Sequence, residues 1–253
     1  MFCQKCGTKN LDAARFCGNC GTRLVDLSGA AQFDAGSKSA SPSRTREESS
    51  PNPVRTGSIQ RRIVVAQKGS AHYRSIQQAI NAAVPNDAIV VKPGVYRESL
   101  VLTKPLMLLG DGPVGDIIIE HLEVCLRVQS KVFVKGLSFR HASYAGIGVL
   151  VDESGVLAIE DCDIFQNHRN VCVAVGGEAT IRDCRIRDAV SSGVIVFGGK
   201  VMLDGCDIFQ NDDNVHIFDD GDVTIRNCRI FDSRDGIGVQ VSGKATIENS
   251  DIF

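Results

Sequence analysis

From residue 149 onward, one interval governs this chain: the same kinds of residue return every 22 positions. Cys162, Cys184, Cys206, Cys228 and Ser250 form one column. Ile164, Ile186, Ile208, Ile230 and Ile252 form a second, and Gly155, Gly177, Gly199, Gly221 and Gly243 a third. A fixed period of this length means equivalent structural units stacked on one another. Within a unit, apolar residues alternate in three short runs, as in Val149 and Val151, Leu157 and Ile159, then Cys162 and Ile164. The columns recur at Val171, Val173, Ala179, Ile181, Cys184 and Ile186, and again from Val215 to Ile230. Three short strands per 22 residues, with turns at the glycine column and near Asn170 and Asn214, describe one coil of an all-β, right-handed parallel β-helix. Coils of this kind stack about 4.8 Å apart, and each inward Ile or Val contributes about 1.5–3 kcal/mol by burial.

The column cysteines read as small core residues, inert because desolvation disfavours the thiolate. Cys172 is one step out of phase with inward Val171 and Val173, so it is expected to face outward and react readily. Between the inward Cys and Ile runs a column of alternating sign: Asp163, Arg185, Asp207, Arg229, Asp251. It is expected at the surface, where neighbouring coils pair their charges and the ladder fixes register. Gln166, Asp188, Gln210 and Asp232 keep the same two-coil rhythm, a 44-residue repeat that suggests duplication of a coil pair.

The first 24 residues are different. Cys3, Cys6, Cys17 and Cys20 stand in two CxxCG knuckles. Two such turns supply four thiolates to a tetrahedral zinc, and with no position left for water the site is structural. The segment resembles short zinc ribbons. Residues 25–60 are rich in Ser, with Pro42, Pro51 and Pro53, and bury too little apolar surface to offset the entropy of ordering, so they are expected to form a disordered tether. A net charge of −2 gives no pull toward nucleic acid or an acidic membrane. No apolar run reaches the roughly 20 residues of a membrane span. Ten cysteines without a leading apolar segment make the cytoplasm the default compartment, with thiols as metal ligands or core residues rather than disulfides.

Residues 61–253 are expected to form the β-helix, entered through a capping helix. Ser75 and Gln78 have capping-box spacing, and Ile76, Ala79, Ile80 and Ala83 lie on one helical face, suited to cover the open end of the strand stack. The entry segments Ile63-Val64-Val65-Ala66, Ser75-Ile76-Gln77-Gln78-Ala79-Ile80, Pro93-Gly94-Val95-Tyr96-Arg97-Glu98 and Leu109-Gly110-Asp111-Gly112 resemble the opening of pectinesterases and of the wider pectin-lyase-like superfamily. They are closer still to non-pectinolytic β-helix repeat proteins. The resemblance implies the fold; activity has to be argued from the site. The pectinesterase pattern places a catalytic aspartate at the start of an Asp-Phe-Ile-Phe-Gly segment. The matching stretch Val194-Ile195-Val196-Phe197-Gly198 has valine there, which argues against that chemistry.

Two surfaces remain as candidates. Asp212, Asp213 and Asp220, with Asp219 and Asp222 nearby, form the densest carboxylate cluster, readable as a catalytic or calcium site or as ordinary turns. By 22-residue counting, Asp212 and Asp213 stack between Val190-Ser191 and Arg234-Asp235. Phe165, Phe209 and Phe231 follow the inward Ile, interrupted by Arg187, and form either an exposed aromatic stripe or core filling. The resulting expectation is a non-enzymatic binding or scaffold protein: a zinc ribbon tethered to a β-helix that recognises a protein or glycan. The alternative is a carbohydrate-active esterase, lyase or hydrolase. Ile247, Ile252 and Phe253 end the chain partway through a coil, so that end is expected to continue or to meet another molecule, such as a second copy stacked end to end.

Overall fold

The computed structural model describes residues 61–218 and 220–253. Cys3, Cys6, Cys17 and Cys20, the tether expected over residues 25–60, and Asp219 lie outside the described residues. The described chain winds through three parallel sheets in turn. Sheet 1 has nine strands, from Arg62–Val65 to Lys244–Glu248. Sheet 2 has eight, from Gly94–Tyr96 to Asp251–Ile252, and sheet 3 has seven, from Leu100–Leu102 to Ile237–Val241. One representative coil is Glu178–Arg182 in sheet 1, Arg185–Arg187 in sheet 2 and Ser192–Val196 in sheet 3. The six inward positions expected per coil are buried in every coil before the last, as at Val171, Val173, Ala179, Ile181, Cys184 and Ile186, and they join one continuous core; in the last coil Val241, Ile247 and Ile252 are exposed.

The turns explain much of the 22-residue column structure. Asp161, Asp183, Gly205, Asn227 and Asn249 link sheet 1 to sheet 2 with φ of 50°, 51°, 66°, 51° and 47°. Asp, Asn and Gly tolerate this left-handed conformation best, so a single residue turns the chain sharply. Gln166, Asp188, Gln210 and Asp232 repeat the device after sheet 2, with φ between 50° and 57°. The glycine column has another cause. A Cβ at Gly155 would lie 2.4 Å from the Val128 carbonyl oxygen, and one at Gly243 would lie 2.4 Å from that of Phe218. These two glycines are required by the close approach of the coil before each.

Sheet 3 departs from the strict period. Val171 pairs with Val194, Val194 with Val215 and Val215 with Val239, giving register steps of 23, 21 and 24 residues. Asp213 therefore faces Ser192 and Ile237, not Ser191 and Asp235 as even counting suggests. The same sheet accounts for the 44-residue rhythm. Asn170 and Asn214 alternate along one column with Gly148, Gly193 and Gly238. A Cβ at Gly193 would come within 2.6 Å of the Asn214 carbonyl oxygen and 2.7 Å of Asn211 Nδ2. The glycine coils thus make room for the asparagine coils. Inside, Asn167 Nδ2 donates to Asn170 Oδ1 at 2.8 Å, Asn170 Nδ2 to Asn211 Oδ1 at 3.0 Å, and Asn211 Nδ2 to Asn214 Oδ1 at 2.9 Å. All four asparagines are fully buried. A polar group so placed is tolerated because it is hydrogen-bonded.

The alternating ladder of sheet 2 is built as expected, but its first three rungs are buried, Arg229 is half-buried and only Asp251 is exposed. Asp163, Arg185 and Asp207 are 5%, 8% and 4% exposed. Arg229 reaches Asp207 at 2.9 Å, and Arg187 reaches Asp163 at 2.9 Å. Burial holds the Arg185 guanidinium below its ordinary pKa, with Asp163 opposing that shift. Long neighbouring side chains cover the ladder: Arg187 lies 4.3 Å from the Phe165 ring and Arg229 5.3 Å from the Phe231 ring.

The entry helix, Ile76–Ala82, buries Ile76, Ala79 and Ile80 in the core beside the first strands. Ser75 Oγ accepts from the Gln78 amide at 3.2 Å. The reciprocal partner is Glu98, not Gln78. Its carboxylate accepts from Ser75 Oγ at 2.6 Å and from the amides of Ile76 and Gln77 at 3.0 and 2.9 Å. At the other end of the solenoid, Ile252 and Phe253 are 42% and 77% exposed. No helix of the described residues is long and apolar enough to cross a membrane.

Candidate binding face

Alternation along the sheet 3 strands decides what that sheet shows to solvent. Val194 and Val196 point inward, so Ile195 and Phe197 point outward; Val215 and Ile217 point inward, so His216 and Phe218 point outward. Adjacent coils then bring Phe197 and Phe218 into a stack with centroids 4.8 Å apart, the spacing of neighbouring strands. The His216 ring continues the stack, 4.3 Å from Phe218 and nearly parallel to it. His216 Nδ1 lies 3.3 Å from Asp213 Oδ2 at the other end of the same strand. Arg169 places its guanidinium 5.8 Å from the Phe197 ring centre. Its Nε is buried without a hydrogen-bond partner, and among the described residues no carboxylate lies within ion-pairing distance of it.

This array covers Cys172 and Ile195, which point outward yet are only 5% and 3% exposed. The expectation of a reactive, exposed Cys172 is therefore corrected. Burial pushes its pKa up to about 11, with Arg169 opposing and Asp152 adding to the shift. Outward phase did not mean accessibility, because the long Arg169 side chain and the rings pack over the sheet.

The carboxylate cluster does not assemble. Asp212 pairs with Arg234 at 3.0 Å and Asp213 with His216, while Asp220 lies beyond the far end of the strand Asp213–Ile217, beside Gly198. That strand is about 13 Å long, too long for Asp213 and Asp220 to act as one acid–base pair. Val194 is fully buried, so an aspartate at its position would sit in the hydrocarbon core rather than on the surface. Phe165, Phe209 and Phe231 face outward but are half-buried; Phe209 and Phe231 stack at 4.9 Å, and Arg187 fills the gap over Phe165 as a cationic spacer. Even 22-residue counting hid Arg169, Phe197, His216 and Phe218. Counting outward from the inward pairs Val194/Val196 and Val215/Ile217 finds three of them.

Among the described residues no cluster of three or more His, Cys, Asp or Glu has the arrangement to hold a metal. A stacked aromatic edge suits an apolar ring face, a guanidinium without a carboxylate partner among the described residues suits an anion, and His216 and Asp213 add polar groups beside them.

Comparison with known proteins agrees with the fold. The family described as "Right handed beta helix region" matches residues 124–253, and the zinc-ribbon domain family matches residues 2–24. A probable pectinesterase/pectinesterase inhibitor 6 of Arabidopsis thaliana is 51% identical over 59 residues, a match covering 20% of this chain and 11% of that protein. The chain thus spans a small part of that relative. Among solved structures, pectin methylesterase from carrot superposes with a TM-score of 0.57 at 19% identity, covering 69% of this chain and 64% of that one. Escherichia coli ybhc gives 0.61 at 14% identity, covering 88% and 77%.

Proposed function

This chain belongs to the right-handed β-helix family, and on that scaffold we propose a non-enzymatic binding protein whose sheet 3 face recognises an acidic glycan. The observation that carries the reading is Arg169, held over Phe197 without a carboxylate partner among the described residues and continuous with the Phe218–His216 stack. Solved pectin methylesterases share the fold, and one of them is in complex with a hexasaccharide. A pectin fragment is accordingly the ligand class to try first. The first 24 residues act as a small docking module. Their four cysteines suit tetrahedral zinc at about 2.3 Å, so Cys3, Cys6, Cys17 and Cys20 would hold a structural ion.

Calorimetric titration of the intact protein with de-esterified pectin oligosaccharides tests the reading. Saturable binding that weakens at least tenfold in Arg169→Ala and Phe218→Ala supports it. Binding unchanged in both variants, or no binding to any acidic glycan, removes it. The His216–Asp213 pair favours the enzyme alternative, since a carboxylate 3.3 Å from an imidazole nitrogen is placed to orient it for proton transfer. Turnover lost in His216→Gln would establish that alternative instead.

A further inference from the structure

The outward face of sheet 1 is ordered in a way its own coil contacts do not require. On one flank, Glu178, Lys200, Asp222 and Lys244 alternate in sign from coil to coil. On the other, Arg182, Asp204, Arg226 and Glu248 alternate in the opposite phase. Pairing within a flank explains each alternation alone: Lys244 reaches Asp222 at 3.1 Å and Arg226 reaches Glu248 at 3.0 Å. The two flanks, four residues apart along each strand, are about 13 Å from each other, so intrachain pairing leaves their relative phase free. The observed phase makes the face a checkerboard. Between the flanks runs a half-buried, mostly uncharged stripe through Met107, Phe133, Ala158, Thr180, Met202 and Thr224. A shallow depression of about 270 Å³ opens there, lined by Val156, Thr180, Met202 and the flanking Glu178, Lys200 and Asp222.

We propose that sheet 1 is a self-complementary docking surface whose partner is a second copy of this chain, packed face to face about a twofold axis parallel to the solenoid. That axis sets one flank of each copy against the other flank of its partner, coil for coil. Glu178 meets Arg182 of the partner subunit, Lys200 meets the partner's Asp204, Asp222 meets the partner's Arg226, and Lys244 meets the partner's Glu248. The stripe meets itself, giving an uncharged centre with a charged rim, the usual anatomy of an interface. Only the coil of Lys131 and Lys135 opposes like charges. Ala88 and Val90 of the second strand are buried on this side, so the open part of the sheet, from Leu106–Gly110 to Lys244–Glu248, offers about 550 Å² per copy, well below the ~800 Å² of a standard interface. The association is therefore weak and salt-sensitive. It is independent of the glycan reading, which concerns another sheet.

Sedimentation of the intact protein at low and high salt, with two charge-reversed variants, tests this. The wild type is expected to dimerise with concentration and to weaken about tenfold or more between low and high salt. Lys200→Glu/Lys244→Glu makes one flank acidic over its last four coils, and Asp204→Lys/Glu248→Lys makes the other basic over the same coils. Each variant alone is expected to be monomeric with an unchanged circular dichroism spectrum, and an equimolar mixture to dimerise. A wild type that stays monomeric at low salt overturns the proposal. So does a dimer that persists in both separate variants, which would point to end-to-end stacking through Ile252 and Phe253. A mixture that fails to associate while the wild type dimerises rejects the same-sense geometry.

Discussion

The Asn211 side chain accepts from the Asn170 amide and from Ala189 N, and donates toward Asn214 Oδ1 and the Ile186 and Phe209 carbonyls. Replacing it by Ala leaves two buried donors on the two preceding coils, Ala189 N and Asn170 Nδ2, without this acceptor, at about 1–3 kcal/mol for each. Asn211→Ala is expected to lose about 3 kcal/mol or more in urea unfolding, whereas Gln210→Ala, at an outward turn, loses far less. Cys172 belongs to the same scale. With its pKa raised from 9.0 to about 11 and its surface covered, native alkylation at pH 8 is expected to run about a hundredfold slower than in the unfolded chain. Rapid native labelling would mean that Arg169 and the rings do not cover it. Asp87 governs an acid response. Arg61, chiefly, and the Val84 amide hold its carboxyl below the ordinary value. The resulting stabilisation is complete above the unfolded-state pKa of about 3.9, and it is lost as falling pH passes through the lower native value. Asp87→Asn should therefore cost stability at pH 7 and flatten the decline below about pH 4.

At the scale of elements, the entry helix has seven residues and is too short to stand alone. Its first turn depends on Glu98. Glu98→Ala frees the amides of Ile76 and Gln77 and the Ser75 hydroxyl, and is expected to cost about 1–2 kcal/mol, with amide exchange rising first in residues 76–82. Equal exchange in variant and wild type would show that core packing by Ile76 and Ile80 suffices. The helix, its buried face and the strands of sheets 1 and 2 were legible in the sequence, because local alternation and fixed columns encode them. Glu98 was not, since its partner lies 22 residues away and no local pattern links the two. Sheet 3 was misread for a related reason: compensating insertions and deletions between turns leave the Cys and Gly columns intact while moving Asp213 opposite Ser192. The burial of Asp163, Arg185 and Cys172 was hidden because alternation gives direction, and only the neighbouring long side chains decide what remains exposed.

At the scale of the whole molecule, the solenoid presents three faces of different character. Sheet 1 carries exposed charge in a checkerboard, sheet 2 a mostly buried ion ladder beneath aromatic rings, and sheet 3 the Arg169–Phe197–Phe218–His216 array. Residues 61–253 carry their own core and entry cap, so a chelator that removes the zinc proposed for Cys3, Cys6, Cys17 and Cys20 is expected to leave the solenoid's thermal transition in place; a lowered transition would mean that the two parts fold together. The central claim is that sheet 3 binds an acidic glycan without consuming it. Chemical-shift mapping of the intact protein, titrated with a partly methyl-esterified pectin oligosaccharide, follows protein and ligand in one experiment. The account predicts saturable shifts centred on Arg169, Phe197, His216 and Phe218, with ligand resonances that show no new reducing end and no methanol over days. Shifts confined to sheets 1 or 2, or the appearance of methanol or cleaved sugar, would contradict it.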